Sequence, residues 1–212
     1  MLNILIADDH ALLRMGLRGL LEMHSGWRVC AEAPDGRQAV QLAEQLRPDV
    51  AIVDLLMPVL NGIEATRQIQ KVSPPTSVLV LAGTYSEQIE DESISAGARG
   101  FVLKSNTQDR VIQAIESLAR RETFFRPNAL SGGPKVGRPH ACSQLQAACL
   151  TSREIEITQL LAEGKSNWCI AVILGISVRT VETHRANVMK KLGLESVAEL
   201  VRYAVRNRII EA

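Results

Sequence analysis

Four side chains in the first half of the sequence carry charges that could act together: Asp8, Asp9, Asp54 and Lys104. Carboxylates gathered at one place repel one another unless a cation sits among them. A hard divalent ion such as Mg2+ takes oxygen ligands there and keeps several waters. Asp9 and Asp54 are the expected direct ligands, with the backbone carbonyl of Leu56 beside them and Asp8 acting through a water. With its charge offset by the metal, Asp54 can attack a phosphoryl group in line and become an acyl phosphate. Lys104 then pairs with the transferred group as a point charge. In the alternative reading, Asp8 and Asp9 only cap a helix that begins near His10, while Lys104 pairs with whichever acid is near. His10 and His24 are read as helix or surface residues without a role.

The elements that must bring these residues together are strands that end at them. Short apolar runs at 2–7, 27–31, 50–53, 77–82 and 100–103 alternate with segments of helical period. Ala39, Val40, Ala43 and Leu46 share one helical face, and so do Val111, Ile112, Ile115, Leu118 and Ala119. Five repeats of strand then helix predict an α/β doubly wound domain with a five-stranded parallel sheet. In such sheets ligands bind outside the carboxyl ends of the strands. Asp8, Asp9, Asp54, Ala82 and Lys104 all stand at predicted strand ends, so one rim should hold them.

The second half has a different character. Residues 1–122 hold 12 Lys/Arg against 16 Asp/Glu, and residues 123–212 hold 12 against 7. A basic half suits a nucleic-acid partner, because each cation placed on a phosphate releases condensed counterions. Pro127, Ser131, Gly132, Gly133, Pro134, Gly137 and Pro139 mark 122–149 as a linker. It separates a first domain at 1–121 from a second, all-α four-helix domain at 150–212.

In the second domain Thr151 and Glu154 form a capping box for a helix carrying Ile155, Ile157, Leu160 and Leu161. Further helices are expected from Ser166 to Gly175, from Ser177 to just before Gly193, and over 197–208. The middle pair, joined by a short turn, meets the geometry of a helix-turn-helix, whose second helix reads double-stranded DNA. Arg179, Thr180, Glu182, Thr183, His184, Arg185, Ala186 and Asn187 are polar enough to face a groove, while Val181, Val188 and Leu192 point inward. Lys190 and Lys191 extend a positive edge.

Cys30, Cys142, Cys149 and Cys169 contain no Cys-x-x-Cys pair and read as buried or neutral side chains. No apolar run approaches the ~20 residues of a membrane helix. The first nine residues do not begin as a secretory signal does, so the expected location is the cytoplasm.

Two resemblances join these readings. Asp8-Asp9, then Asp54-x-x-Met57-Pro58-x-x-x-Gly62, then Lys104 after a fifth strand resemble the receiver domain of bacterial two-component response regulators over residues 1–121. This resemblance implies a sensor histidine kinase as phosphodonor and places Phe101 at the family's aromatic switch. From Leu150 to Ile210, Thr151-x-Arg153-Glu154, Gly164-Lys165-Ser166-Asn167, Leu174-Gly175-Ile176-Ser177, Thr180-Val181-x-x-His184 and Lys191-Leu192-Gly193 resemble the LuxR-type domain of the NarL/FixJ group. By that resemblance Glu182, Thr183 and Ala186 face bases, and Arg179, Thr180, Arg185, Asn187 and Lys190 hold phosphates. The family pairs its last helix in a homodimer, which implicates Val197, Leu200, Val201 and Ala204. The same stripe could instead close the domain's own core.

The sequence departs from the family at two places. Ser or Thr usually ends the fourth strand, and Ala82 stands here, with Thr84 two positions on as a substitute or merely a solvent-facing residue. The helix before the reader carries Trp168, Cys169, Val172 and Ile173 where polar residues are usual. Trp168 and Val172 are one turn apart, so they form either a docking patch for the receiver or a partner, or a tolerated surface pair. Besides a kinase-controlled regulator, two readings stay open. One is a DNA binder whose output ignores phosphate, because of Ala82. The other is an Asp-nucleophile phosphatase, which the absence of a second acid after Asp54 disfavours.

Overall fold

The computed structural model describes residues 1–106, 108–125 and 150–210. The chain divides into two compact units between Pro134 and Lys135, inside the undescribed stretch.

In the first unit the apolar runs become β1 (Leu2–Ala7), β2 (Trp27–Ala33), β3 (Val50–Asp54), β4 (Ser77–Ala82) and β5 (Gly100–Leu103). Between them lie α1 (Ala11–Glu22), α2 (Gly36–Leu46), α3 (Gly62–Val72) and α4 (Glu87–Ser95), and α5 (Gln108–Ala119) follows β5. Parallel neighbours cannot be joined by a hairpin, so each connection crosses over through a helix. The sheet is parallel throughout in the order β2-β1-β3-β4-β5.

Successive strand side chains alternate between the faces, and both faces are covered. Leu5, Ala7, Ala51, Val53, Val78 and Val80 share one core with Ala39, Ala43, Ala65, Ile69 and Ile89. Ile4, Ile6, Val50, Ile52, Leu79 and Leu81 meet Leu17, Leu21, Ala114, Ile115 and Leu118 on the other side. Two-sided burial is the reason these strands are continuously apolar.

The structure adjusts three expectations here. β2 runs two residues further than its apolar segment, past a register shift against β1 between Ile4 and Leu5. Leu46 and Ala119 are exposed because each ends its helix beyond the sheet, whereas Ala114, outside the expected stripe, is fully buried. Phe124, within the expected linker, bridges to Gly100 and accepts the guanidinium of Arg110 over its ring at 4.8 Å. The rest of that linker, 126–149, lies outside the described residues, with Cys142 and Cys149.

The second unit contains α6 (Ser152–Ala162), α7 (Asn167–Leu174), α8 (Val178–Leu192) and α9 (Val197–Arg206). Each start is written locally. Thr151 and Ser196 make capping boxes with Glu154 and Glu199, and Ser166 and Ser177 cap α7 and α8. Gly175 and Gly193 end α7 and α8 at φ 64 and 63, a left-handed conformation that glycine adopts without a Cβ penalty. Ile157, Leu160, Ile170, Val181, Val188, Leu200 and Ala204 are buried between these helices. Among the described residues no helix is long and apolar enough to cross a membrane.

Candidate functional site

Strand register builds the acidic site. Ala7 pairs with Val53 and Asp54 with Leu81, so β1 and β3 end side by side in the middle of the sheet. Asp8 follows β1, Asp54 ends β3, and Lys104 follows β5 with its backbone N–H on the Ala82 carbonyl at 2.8 Å. The Lys104 Nζ lies 2.8 Å from Asp8 Oδ2 and 2.8 Å from Asp54 Oδ2. Asp8 and Asp54 are buried, while Asp9 is part-exposed at the mouth. Ala82 also reaches this rim, fully buried, and Thr84 is exposed to solvent.

The loop from β3 to α3 brings its own backbone close. Leu55 donates to the Leu81 carbonyl and Gly62 donates to the Leu55 carbonyl, both at 2.8 Å. A Cβ on Gly62 would lie 2.0 Å from the carbonyl oxygen of Asp54, so only glycine fits there. Val59 in the same loop holds φ 69, a strained setting for a β-branched residue. Leu56, whose carbonyl is the expected backbone ligand, is half-buried at the start of this loop.

Burial pushes the Asp54 carboxyl from 3.8 up to about 6; the Lys104 hydrogen bond opposes this and the Asp8 charge adds to it. Burial works to lower Lys104, but its bonds to Asp54 and Asp8 outweigh that and hold it above its ordinary value. A further cation at this site would oppose the upward push on the Asp54 carboxyl. Oxygen donors from Asp8, Asp9 and Asp54 lie within 4.8 Å of one another, a hard set that fits a divalent ion. Asp8 Oδ2 is buried, and the partner within its reach is the Lys104 ammonium at 2.8 Å.

Asp8 Oδ1 accepts from the His10 backbone N–H at 2.8 Å, an Asx turn ahead of α1 rather than a cap on it, since His10 is the N-cap and forms no side-chain cap bond. That bond uses one oxygen and leaves the other facing Lys104. Sequence reasoning missed three residues. His10, given no role, has Nδ1 at 2.7 Å from Asp9 Oδ1; the Asp9 charge, then the Asp8 hydrogen bond, raise its pKa. Arg14 donates to the Asp8 carbonyl at 2.6 Å. Tyr85 stands edge-on to the buried Phe101, ring centroids 6.4 Å apart, and its hydroxyl meets Glu90 at 3.1 Å. The i+2 spacing of His10 from Asp8 was the available signal for the first.

On α8, Arg179, Thr180, Glu182, Thr183, Ala186, Asn187 and Lys190 form an exposed face, with Arg185 half-buried beside them. Val181 and Val188 point inward, and Leu192 is half-buried. Two hydroxyls are already engaged: Thr180 with Ser177 at 2.8 Å, and Thr183 with the Arg179 carbonyl at 2.9 Å. Lys191 departs from the positive edge, because its Nζ meets Glu154 Oε2 at 2.7 Å and ties α8 to the start of α6. On α9, Leu200 and Ala204 are fully buried in the unit's own core and cannot also face a second copy; Val197 is exposed and Val201 half-buried. Trp168 and Val172 are 67% and 63% exposed on the outer side of α7.

Comparison with known proteins places both halves. Residues 4–116 match the response regulator receiver domain, and residues 148–204 match the LuxR family of bacterial regulatory proteins. The response regulator protein VraR of Staphylococcus aureus is 32% identical over 210 residues, 99% of each chain. Among solved structures, a LuxR-family two-component response regulator from Aurantimonas sp. SI85-9A1 is 32% identical with TM-score 0.57, over 61% of this chain and 92% of that one. The RcsB response regulator of Salmonella typhimurium is 27% identical with TM-score 0.57, over 96% of this chain and 98% of that one. RcsB has also been solved as two dimers bound to two parallel DNAs, at TM-score 0.56 and 27% identity over 95% of this chain and 96% of that one. Receiver match, LuxR match and full-length likeness agree in order and position, and the chain belongs to the two-component response regulators that carry a LuxR-type DNA-binding domain.

Proposed function

We propose that this response regulator controls transcription by binding double-stranded DNA and is switched by phosphorylation of Asp54 from a sensor histidine kinase. The boundaries that go with this reading are a receiver at 1–121, a linker at 122–149 and a DNA-binding domain at 150–212. The observation that carries it is the joining of Asp8, Asp54 and Lys104 at 2.8 Å on the strand-end rim. Asp9, Asp54 and the Leu56 carbonyl would hold Mg2+, with Asp8 acting through a water. Bound there, Mg2+ would offset carboxylate charge and keep Asp54 ionised. A carboxylate oxygen of Asp54 then attacks phosphorus, the bond from phosphorus to the kinase imidazole breaks, and an acyl phosphate results. Lys104 is placed to exchange its Asp54 partner for a phosphoryl oxygen.

The phosphoryl group would shift an existing equilibrium from a masked monomer to a homodimer that spans two half-sites. Arg179, Thr180, Arg185, Asn187 and Lys190 would hold phosphates, and Glu182, Thr183 and Ala186 would face bases. Val197 and Val201 remain for pairing. Acting between kinase and DNA, the protein would work in the cytoplasm. Trp168 and Val172 would serve as a docking patch for the receiver or a partner protein; equal quencher access to Trp168 in the isolated domain and the full chain would exclude the receiver. The central experiment is Mg2+-dependent acyl-phosphate labelling of wild type and Asp54→Asn, with dimerisation and DNA binding followed on the same samples. Labelling of both proteins alike would sink the assignment of Asp54. Labelling without any change in assembly or DNA affinity would favour a second reading, DNA binding uncoupled from phosphate, which the buried methyl of Ala82 supports.

A further inference from the structure

The acidic site read as a divalent-ion site consists of oxygen donors, yet the fold brings a nitrogen into it. The bond from the His10 N–H to Asp8 Oδ1 closes a two-residue Asx turn that folds the imidazole back over the carboxylates. Nδ1 then lies 2.7 Å from Asp9 Oδ1 and 3.2 Å from Asp8 Oδ1. One donor atom each from Asp8, Asp9, His10 and Asp54 falls within 4.8 Å of the others. Ligands on opposite sides of a first-row ion, with bonds of about 2.0–2.2 Å, stand roughly 4.0–4.4 Å apart. The Nδ1 of His10 and the oxygens of Asp9 and Asp54 need close by only a fraction of an ångström to share one ion, with Asp8 left to act through a water. The ring is 65% exposed, so an ion reaches it from solvent without opening the fold. On the inner side, Asp8 Oδ2 is already paired with the Lys104 ammonium at 2.8 Å, so the opening that remains for an ion lies on the side of Asp9 and His10.

We infer that His10 is a further protein ligand of this site, one that Mg2+ leaves free and that nitrogen-accepting divalent ions use. The inference rests on the reading of Asp9 and Asp54 as a divalent-ion site. Its physical basis is donor softness. Mg2+ keeps to oxygen and retains waters, whereas Ni2+ accepts imidazole. The site would then rank ions by whether they use His10. An all-oxygen rim would lack that ranking.

The test uses the full chain and its His10→Ala variant. His10 caps α1 through its backbone and makes no side-chain capping bond, so alanine leaves the helix start intact. Calorimetric titration should show Ni2+ binding wild type at least tenfold tighter than His10→Ala, with Mg2+ affinities within twofold of each other. His24, His140 and His184 are kept in both proteins and control for stray sites. Equal Ni2+ affinities would overturn the role of His10 and leave the oxygen site standing. Failure of wild type to bind either Mg2+ or Ni2+ would overturn both.

Discussion

Asp54→Asn should stabilise the metal-free protein at neutral pH. Burial pushes the Asp54 carboxyl from 3.8 up to about 6, so the folded state holds this proton more tightly than the unfolded state does. The associated stability is fully present below 3.8 and is lost as pH rises through about 6. A difference of about two units corresponds to about 3 kcal/mol once both states are ionised. That is an upper bound, because asparagine forfeits the ion pair with Lys104, although Lys104 keeps Asp8 at 2.8 Å. A gain of about 1–3 kcal/mol is expected at pH 7.5, shrinking to about a third of that at pH 4.5. Urea unfolding in EDTA measures it, in a Trp168→Phe background so that Trp27 alone reports on the receiver. Added Mg2+ should close the gap, since the ion stabilises the wild type preferentially. A variant no more stable than wild type at pH 7.5, or an undiminished gap at pH 4.5, would refute the reasoning.

Four further outcomes follow from the same geometry. Mg2+ affinity should fall as pH drops through about 6, by up to tenfold per unit, because the ion competes with the raised Asp54 proton; calorimetry in two buffers would reveal the released proton. Gly62→Ala should cost about 2 kcal/mol or more and weaken Mg2+ binding, since its Cβ would lie 2.0 Å from the Asp54 carbonyl oxygen. Val59→Gly should raise the urea midpoint, because relief of about 1–3 kcal/mol of strain at φ 69 exceeds the ~0.5–1 kcal/mol entropic penalty of glycine. Arg179→Ala should weaken DNA binding across sequences and reduce the salt slope by about one, whereas Glu182→Ala should alter base preference and leave that slope largely intact.

Much of this protein is legible in its sequence because the determinants are local or periodic. Strand ends at Ala7 and Leu103 follow from apolar runs stopped by the charged Asp8 and Lys104, and the end at Ala82 from Gly83. The starts of α6, α7 and α8 follow from Thr151, Ser166 and Ser177, whose hydroxyls satisfy backbone N–H groups only three residues away. The convergence of Asp8, Asp54 and Lys104 was also within reach, since parallel strands deliver every carboxyl end to one rim. Only the tertiary structure decided how shared positions are used. The period of α9 placed Leu200 and Ala204 on the same stripe as Val197 and Val201, but packing against α6 buried the first pair and left Val197 exposed and Val201 half-buried. Lys191 read as part of a positive edge until Glu154, 37 residues away in sequence, took its charge. His10 looked like a residue on a helix start, and the Asx turn from Asp8 carried its ring over the acids. In each case the deciding partner lies across the fold or in a turn whose direction side-chain periodicity does not encode.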